Sequence, residues 1–472
     1  MAVREASVVY ERLAFEYVEA PTGYIQTDFG MIPPDWACPS IGELAAKRPN
    51  AIVGGPFGSD LISKDYVAVG VPVVRGQNMS RHYVSGEFVF VSNSKAKSLQ
   101  SNKARPDDII FTQRGTLGQV SLVPSRPFVE YIVSQSQMKL TLNTNIASAE
   151  YVYQYFCSAE GQKQILESAI QTGVPHTNLS ILRRYRVPVP PTRYEQQAIA
   201  EALSDADALI ESLQQLITKK RQIKQGTMQT LLTGKQRLPG FEIKHGYKQT
   251  EVGVLPEEWE VECLGALARG IYRGASPRPI DAPVWFDETS AVGWVRISDV
   301  TQAGRDLTET TQRLSQQGVR HSRYLPRGAL IMSICATVGR PIETQIDVCI
   351  HDGFVVFERP TVEQGFLYHV LKELEPRWSS KGQTGSQMNL NTALIKSTQV
   401  PLPPTEAEQT AIATVLSDMD SEIADLEARL AKTRDLKRGM MQALLTGRIR
   451  LPLDAVSETA RDPSLAALAR KV

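Results

Sequence analysis

The sequence predicts an α+β chain: two pseudo-symmetric α/β globules separated by two long helices that pair as an antiparallel coiled coil. Two repeats and one divergence predict it. Residues 190–239 and 403–452 match without a gap at an offset of 213, with 27 of 50 positions identical. A shorter motif, GYIQTDFGMIPPDW at 23–36 and GYKQTEVGVLPEEW at 246–259, precedes each half at an offset of 223 with seven identities in 14. Between these anchors the halves share an outline but little sequence. The chain therefore divides into a first globule with its leader (1–189), a first spacer helix (190–239), a second globule (240–402), a second spacer helix (403–452) and a tail (453–472).

Each element has a local reason. In the first globule Val67 to Val74, Phe88 to Val91, Ile109 to Thr112 and Met138 to Leu142 are strand-like apolar runs, and Tyr151 to Ile170 is helical. The first spacer carries Ile199, Leu203, Ala206, Ile210, Leu213 and Ile217, alternating four and three apart, which is a coiled-coil seam. Thr192 with Glu195 three residues on is a start signal, and Gly234 a stop. About 38 helical residues would span roughly 57 Å. The second globule repeats the mixture, with strands at Ala329 to Met332 and Gly353 to Phe357 and a helix over Gln364 to Glu375. The second spacer repeats the seam at Ile412, Leu416, Met419, Ile423, Leu426 and Leu430, between Thr405/Glu408 and Gly447. A helix this long with one apolar seam needs a partner, and its own duplicate is the obvious one.

The shared outline is visible in pairs. Arg75 and Asn78 face Arg296 and Asp299, Thr116-Leu117-Gly118 faces Thr337-Val338-Gly339, and Asn178-Leu179 faces Asn389-Leu390. The stretch Pro239 to Gly246 leads the first helix into the second GY motif, whereas the second helix has no such successor. The first GY motif would fill that place if the ends come together, so a chain permuted to begin near Gly246 should still assemble.

Composition narrows the function. With 52 basic and 51 acidic residues the net charge is +1, so any basic surface is local. The five cysteines (Cys38, Cys157, Cys263, Cys335, Cys349) are scattered, which suits reduced thiols in a cytoplasm. No apolar run reaches the roughly 18 residues of a membrane span, and no signal peptide is apparent. The six histidines show no HxxxH spacing, so no metal site is expected. Lys235 follows Gly234, but no glycine stands at 229, so there is no phosphate-binding P-loop. Gly54 to Ser59 is a Gly-rich loop that reads equally as a plain turn or as a phosphate approach. Neither an amino-methylase signature nor helicase boxes nor a nuclease core is present, and no catalytic residue is expected.

Two divergent globules between near-identical helices, with GYKQTEVGVLPEEW, PPTEAEQTAIA and the TLLTGKQRLP/ALLTGRIRLP helix ends, resemble the specificity subunit of a type I restriction–modification enzyme. The resemblance runs from about residue 23 to residue 452. It implies a non-catalytic cytoplasmic subunit whose globules are target-recognition domains, each reading one half of a split double-stranded DNA site. It also implies a methylating subunit as partner, in two copies, and an ATP-dependent cleaving subunit. S-adenosylmethionine, ATP and Mg would belong to those partners, with no cofactor held here and no membrane role. A structural adaptor bridging two proteins, or a stand-alone nuclease or methylase, are the alternatives.

Base readout favours polar side chains on loops, because they match base-edge donors and acceptors. The first-globule candidates are Arg75, Gln77, Asn78, Arg114, Gln135, Gln137, His176 and Asn178. Those of the second are Arg296, Ser298, Asp299, Arg340, His351, Asp352, Gln387 and Asn389. The recurrent Glu195, Gln196 and Ile199, repeated as Glu408, Gln409 and Ile412, are the candidate partner-docking surface. Basic residues toward the helix ends, from Lys219 to Arg237 and from Arg429 to Arg450, either complement the helix dipole or meet DNA phosphates or an acidic partner.

Overall fold

The structure is a computed structural model that describes residues 18–19, 23–27, 30–80, 82–171, 174–242, 246–380 and 390–451. It divides into two compact units, one of Met1–Gln214 with Arg429–Val472 and one of Gln215–Ala428. Each unit thus holds one globule, the first part of one long helix and the last part of the other.

The first unit opens with a short strand, β1 (Val18–Glu19). Its globule contains β2 (Ile52–Gly54), β3 (Tyr66–Val67), β4 (Val71–Val74), β5 (Val89–Val91), β6 (Lys103–Ala104), β7 (Ile109–Thr112), β8 (Val120–Leu122), β9 (Tyr131–Val133) and β10 (Gln137–Leu140). They form two sheets, in the orders β8-β7-β10-β2 and β3-β5-β4-β9-β6. All pairs are antiparallel except β4 with β9. β7 and β10 are buried along their whole length; β7 is apolar up to Thr112, whereas β10 buries Gln137 and Lys139, the latter 3.5 Å from the Asp108 carboxylate. Val74 and Val133 of one sheet pack with Ile110 of the other. α1 (Arg193–Leu231) then begins, with the Thr192 hydroxyl accepting from the Glu195 amide at 3.2 Å as expected of a cap.

The second unit repeats the plan with β11 (Ala268–Arg273), β12 (Gly293–Val295), β13 (Asp306–Leu307), β14 (Gln312–Arg313), β15 (Arg323–Leu325), β16 (Leu330–Ser333), β17 (Pro341–Thr344), β18 (Val348–Ile350) and β19 (Phe354–Pro360). The sheet orders are β11-β19-β16-β17-β13 and β14-β12-β18-β15, with β12 parallel to β18. Read strand by strand, β17-β16-β19-β11 matches β8-β7-β10-β2, and β14-β12-β18-β15 matches β5-β4-β9-β6. These eight strands keep one order despite the divergent sequences, while β3 and β13 have no counterpart. α2 (Glu406–Leu444) follows, then β20 (Ile449–Arg450).

Helix pairing is antiparallel inside each unit. In the second, Lys220 reaches Glu422 at 2.6 Å and Lys224 pairs with Asp420, so numbers rise on one helix as they fall on the other. In the first, Lys437 meets Asp207 at 2.6 Å. Lys437 and Asp207 are the repeat counterparts of Lys224 and Asp420, so the same contact is made twice with roles exchanged. Of the expected seam, Ile199, Leu203, Ala206, Leu213, Ile217, Ile412, Leu416, Ile423 and Leu430 are buried. Ile412 and Leu416 also pack on Phe366 and Leu367 of the second globule.

The GY motifs seat on the helix ends. In the second unit Gly234 turns with φ +65° against Pro256 and Trp259, where a Cβ would lie 2.6 Å from the proline ring. Arg237 lies 5.8 Å over Trp259 and bridges Glu408 and Glu258. In the first unit Gly447, φ +68°, turns against Pro33 and Trp36. Arg450 lies 5.8 Å over Trp36 and bridges Glu195 and Asp35. Tyr24 donates to the Gly447 carbonyl at 3.2 Å, and β1 pairs with β20. The first GY motif therefore takes up, on the second helix, the place that the second takes on the first.

This packing corrects the proposed docking surface. Glu195, Gln196, Ile199, Glu408, Gln409 and Ile412 are all buried within the chain. Gln196 accepts from the Ser148 amide at 2.8 Å and donates to the Ile146 carbonyl at 3.1 Å, while Gln409 accepts from the Glu363 amide at 3.0 Å. Their recurrence records how each helix start is locked to its own globule.

Candidate nucleic-acid interface

Parallel strands β12 and β18 end side by side, and their carboxyl ends place Arg296 and His351-Asp352 together. Arg273 at the end of β11 and Cys335 just after β16 complete a cleft of about 540 Å³, with Ser298 on its rim. The positions are set locally. Asp299 accepts from the Arg296 amide at 2.8 Å and from the Thr311 amide at 3.2 Å, fixing the turn that carries Arg296 and Ser298. Gly274 has no room for a side chain, since a Cβ would lie 2.1 Å from the His351 carbonyl, so β11 runs close under the turn.

The electrostatics leave two cations, one anion and a neutral ring. Burial pushes the His351 pKa down against the pull of Asp352, and the Arg296 guanidinium adds to the depression. Its Nδ1 accepts from the Gly353 amide at 2.9 Å, so the neutral ring carries its proton on Nε2. The Ser276 hydroxyl donates to Asp352 at 2.8 Å and holds that carboxyl below the usual range. Arg273 donates through Nε to the Asp352 carbonyl. The Arg296 guanidinium makes no hydrogen bond or ion pair among the described residues. Such a cleft offers forked donors and a fixed acceptor to the polar edge of a ligand.

The first unit builds the same place from other residues. Arg75 follows β4 and Gln135 follows β9, the equivalent parallel pair, and Arg114 follows β7. Arg75 is half-buried, and its Nε has no hydrogen-bond partner among the described residues. Gln77 and Arg114 are exposed, and His176 lies beside Arg114 through a backbone bridge. Gln135 is exposed but donates to the Gly58 and Leu61 carbonyls at 2.8 and 3.0 Å, tying the turn to the Gly-rich loop. In that loop a Cβ on Gly55 would sit 1.9 Å from the Ser134 carbonyl, so its glycine answers a close backbone approach.

Several expected base readers serve the scaffold instead. Asn78 is fully buried, accepting from the Arg75 amide at 3.1 Å and donating to the Ser85 and Glu87 carbonyls, and the buried Asp299 likewise accepts from the Arg296 amide in the second unit. Gln137 is buried and bonded to Ser134. Asn178 caps the helix Leu179–Arg184 by accepting from the Ile181 amide at 2.9 Å. Its counterpart is Asn391, which caps Thr392–Ser397 in the same way, rather than Asn389. Arg340 donates to the Ala303 carbonyl at 3.1 Å and lines a separate crevice along the long helices, with Tyr368 and Asp420. Gln387 and Asn389 lie outside the described residues.

Arg273 and Cys335 line the cleft although neither is among the candidate base readers. Arg273 could have been found from the glycine that follows it, because Gly55 and Gly274 close equivalent strands. Phe57 is 87% exposed at the tip of the Gly-rich loop, next to the residues that Gln135 holds.

Among the described residues no cluster of His, Cys, Asp or Glu could hold a metal ion, and no helix is long and apolar enough to cross a membrane. A family model described as type I restriction modification DNA specificity domain matches residues 62–222 and 256–433. The chain is 25% identical over 445 residues to the type I restriction enzyme MjaVIII specificity subunit of Methanocaldococcus jannaschii, covering 89% of this chain and 94% of that one. In fold it is similar to the S subunit of a type I restriction–modification system from M. genitalium, with a TM-score of 0.56, 17% identity, and 92% and 99% of the two chains covered. A chain from a solved structure of a type I R-M system matches with a TM-score of 0.50 and 20% identity, over 88% and 99% of the two chains. The chain belongs to the specificity subunits of type I restriction–modification systems, their non-catalytic components.

Proposed function

We propose that this subunit reads an asymmetric, bipartite double-stranded DNA site, one half with each globule, and docks the subunits that methylate and cleave. One observation carries the reading. The globules share one strand order, yet the loop positions that meet at the ends of the parallel strands differ: Gln77 against Ser298, Arg114 against Cys335, Gln135 against Asp352. Arg75 and Arg296 alone are kept there. A shared frame with unlike tips suits two unlike half-sites. Each long helix measures about 58 Å at 1.5 Å per residue, more than the roughly 34 Å of one DNA turn.

Docking is supported by exposed residues that the repeat keeps and that no packing inside the chain explains. Lys219, Gly226 and Gln229 recur as Lys432, Gly439 and Gln442, all exposed, and both glycines face open space. Two equal faces suit two copies of a methylating subunit. S-adenosylmethionine would be held by that subunit, and ATP and Mg by the cleaving one. Most basic residues of the helix ends are engaged inside the chain, as Lys220, Lys224, Arg237, Lys437 and Arg450 show. With a net charge of +1, the chain alone should bind DNA weakly and gain affinity in the assembly. A reader of cellular DNA of this kind works in the cytoplasm.

The test is a selection from randomised duplexes with the methylating subunit present. The expected result is one motif of two unlike halves around an unread spacer. An adaptor without DNA readout would enrich nothing, and methylation or cleavage by the purified chain alone would overturn the assignment of chemistry to its partners.

A further inference from the structure

We propose that the cleft of the second unit reads a G·C base pair from the major groove, with Arg296 and Arg273 addressing guanine and Asp352 addressing its cytosine. This rests on the DNA-reading function proposed above and names the base pair one globule selects. In the major groove guanine presents two acceptors, N7 and O6, and cytosine presents the N4 amino donor. A guanidinium fork matches the first bidentately, and a carboxylate, which only accepts, matches the second. Arg296 has its whole fork available, and Arg273, anchored through Nε, keeps both terminal nitrogens for a ligand. Asp352 is fixed by Ser276 and stays ionised.

The same anion argues against the other occupants. A phosphate entering between the arginines would also meet the Asp352 carboxylate and be repelled. A thymine in the cytosine position would turn its O4 acceptor toward that carboxylate, and an A·T pair would give the guanidinium a donor where it needs an acceptor. The floor does not adapt. His351 packs edge-on to Phe354 at 4.8 Å and tilted against Trp294 at 5.8 Å, and a Cβ on Gly353 would lie 2.5 Å from the Cys335 sulfur. In the first unit Gln135 stands where Asp352 does, so this pairing of cation and anion belongs to the second reader alone.

The experiment is the randomised-duplex selection on the full complex with the methylating subunit, comparing the native chain with Asp352→Asn, Arg296→Ala and Arg296→Lys. Exchange of residues 240–402 for those of another specificity subunit identifies which half-site the second unit reads. In that half the native complex should fix a G·C pair. Asp352→Asn, which keeps the backbone carbonyl that holds Arg273, should weaken the preference at that one pair roughly 5- to 100-fold. Arg296→Ala and Arg296→Lys should do the same, since lysine keeps the charge and loses the fork, while the other half-site stays unchanged. A second half-site without a fixed G·C pair overturns the proposal. So does an Asp352→Asn complex with unaltered preference, or an Arg296→Ala complex that binds all sequences less well while Arg296→Lys restores them, the mark of a phosphate contact. Should Arg296→Ala fail to assemble, Asp352→Asn decides by itself. A native complex that enriches no motif overturns the function on which the proposal rests.

Discussion

Arg450, six residues beyond the end of α2, forks onto the buried carboxylate of Glu195 in the first turn of α1, with Nη2 2.7 Å from Oε2. The repeat makes the same contact once more between Arg237 and Glu408. Burial pushes the Glu195 carboxyl up and the arginine pulls it back down, so the pair is a compensated buried charge. Removing one partner strands the other. Arg450→Ala should cost about 3–5 kcal/mol, whereas Arg450→Met combined with Glu195→Leu should cost clearly less. Urea unfolding followed by a probe in the first unit measures both, and equal losses would refute the uncompensated-charge explanation.

The seats of the two GY motifs make the chain close on itself. Gly447 meets Pro33 and Trp36 just as Gly234 meets Pro256 and Trp259, although covalent continuity exists only in the second case. A chain that begins at Gly246, with residue 451 joined by a short linker to residue 23, should therefore fold and pair its helices as the native one does. Circular dichroism and capture of the methylating subunit check it. An insoluble permutant, with a linker long enough to span the join, would show that continuity at Pro239 to Gly246 is needed.

The repeat was the most legible feature of the sequence, because packing of one helix start on one helix end demands the same residues twice. It gave the helices, their seam and the closure of the GY motifs. It misled about Glu195, Gln196 and their copies: recurrence marks any twice-made contact, and these contacts lie inside the chain. The cleft was half legible. Arg296, Ser298, His351 and Asp352 do meet in one cleft, since short loops after strands stay near strand ends. Asn78, Asp299 and Asn178 looked the same in sequence but turn inward, because an amide or carboxylate three residues along a tight turn is within reach of a backbone N–H, and Gln137 is held by the Ser134 hydroxyl. Nothing in a linear pattern separates a side chain that caps a turn from one that leaves it free.

Gly226 and Gly439 stand inside long helices, exposed, with nothing within 4 Å of where a Cβ would be. Glycine in a helix interior costs about 1 kcal/mol against alanine, so Gly226→Ala and Gly439→Ala should each raise the stability of the isolated chain by about that amount. If a partner approaches the helix there, leucine at both sites should leave the chain folded and weaken capture of the methylating subunit at least tenfold. Titration of that subunit onto the double variant checks the docking face, and unchanged capture would place docking elsewhere.

His369 gives the second unit a pH dependence of known sign. It is fully buried and accepts or donates at 3.2 Å to Ser417, and burial, aided by Arg305 and Lys224, lowers its pKa to about 3. Its ordinary value is near 6.5, so between these values the unfolded chain binds a proton that the folded one refuses. Stability is therefore complete above pH 6.5 and falls by about 1.4 kcal/mol for each pH unit below it, until the folded value is reached. His369→Gln should be less stable at neutral pH, through lost packing, but should lack this slope. Urea midpoints of the two proteins between pH 7.5 and 4.5 should converge as the pH falls. Parallel curves would mean that His369 is protonated in the folded chain.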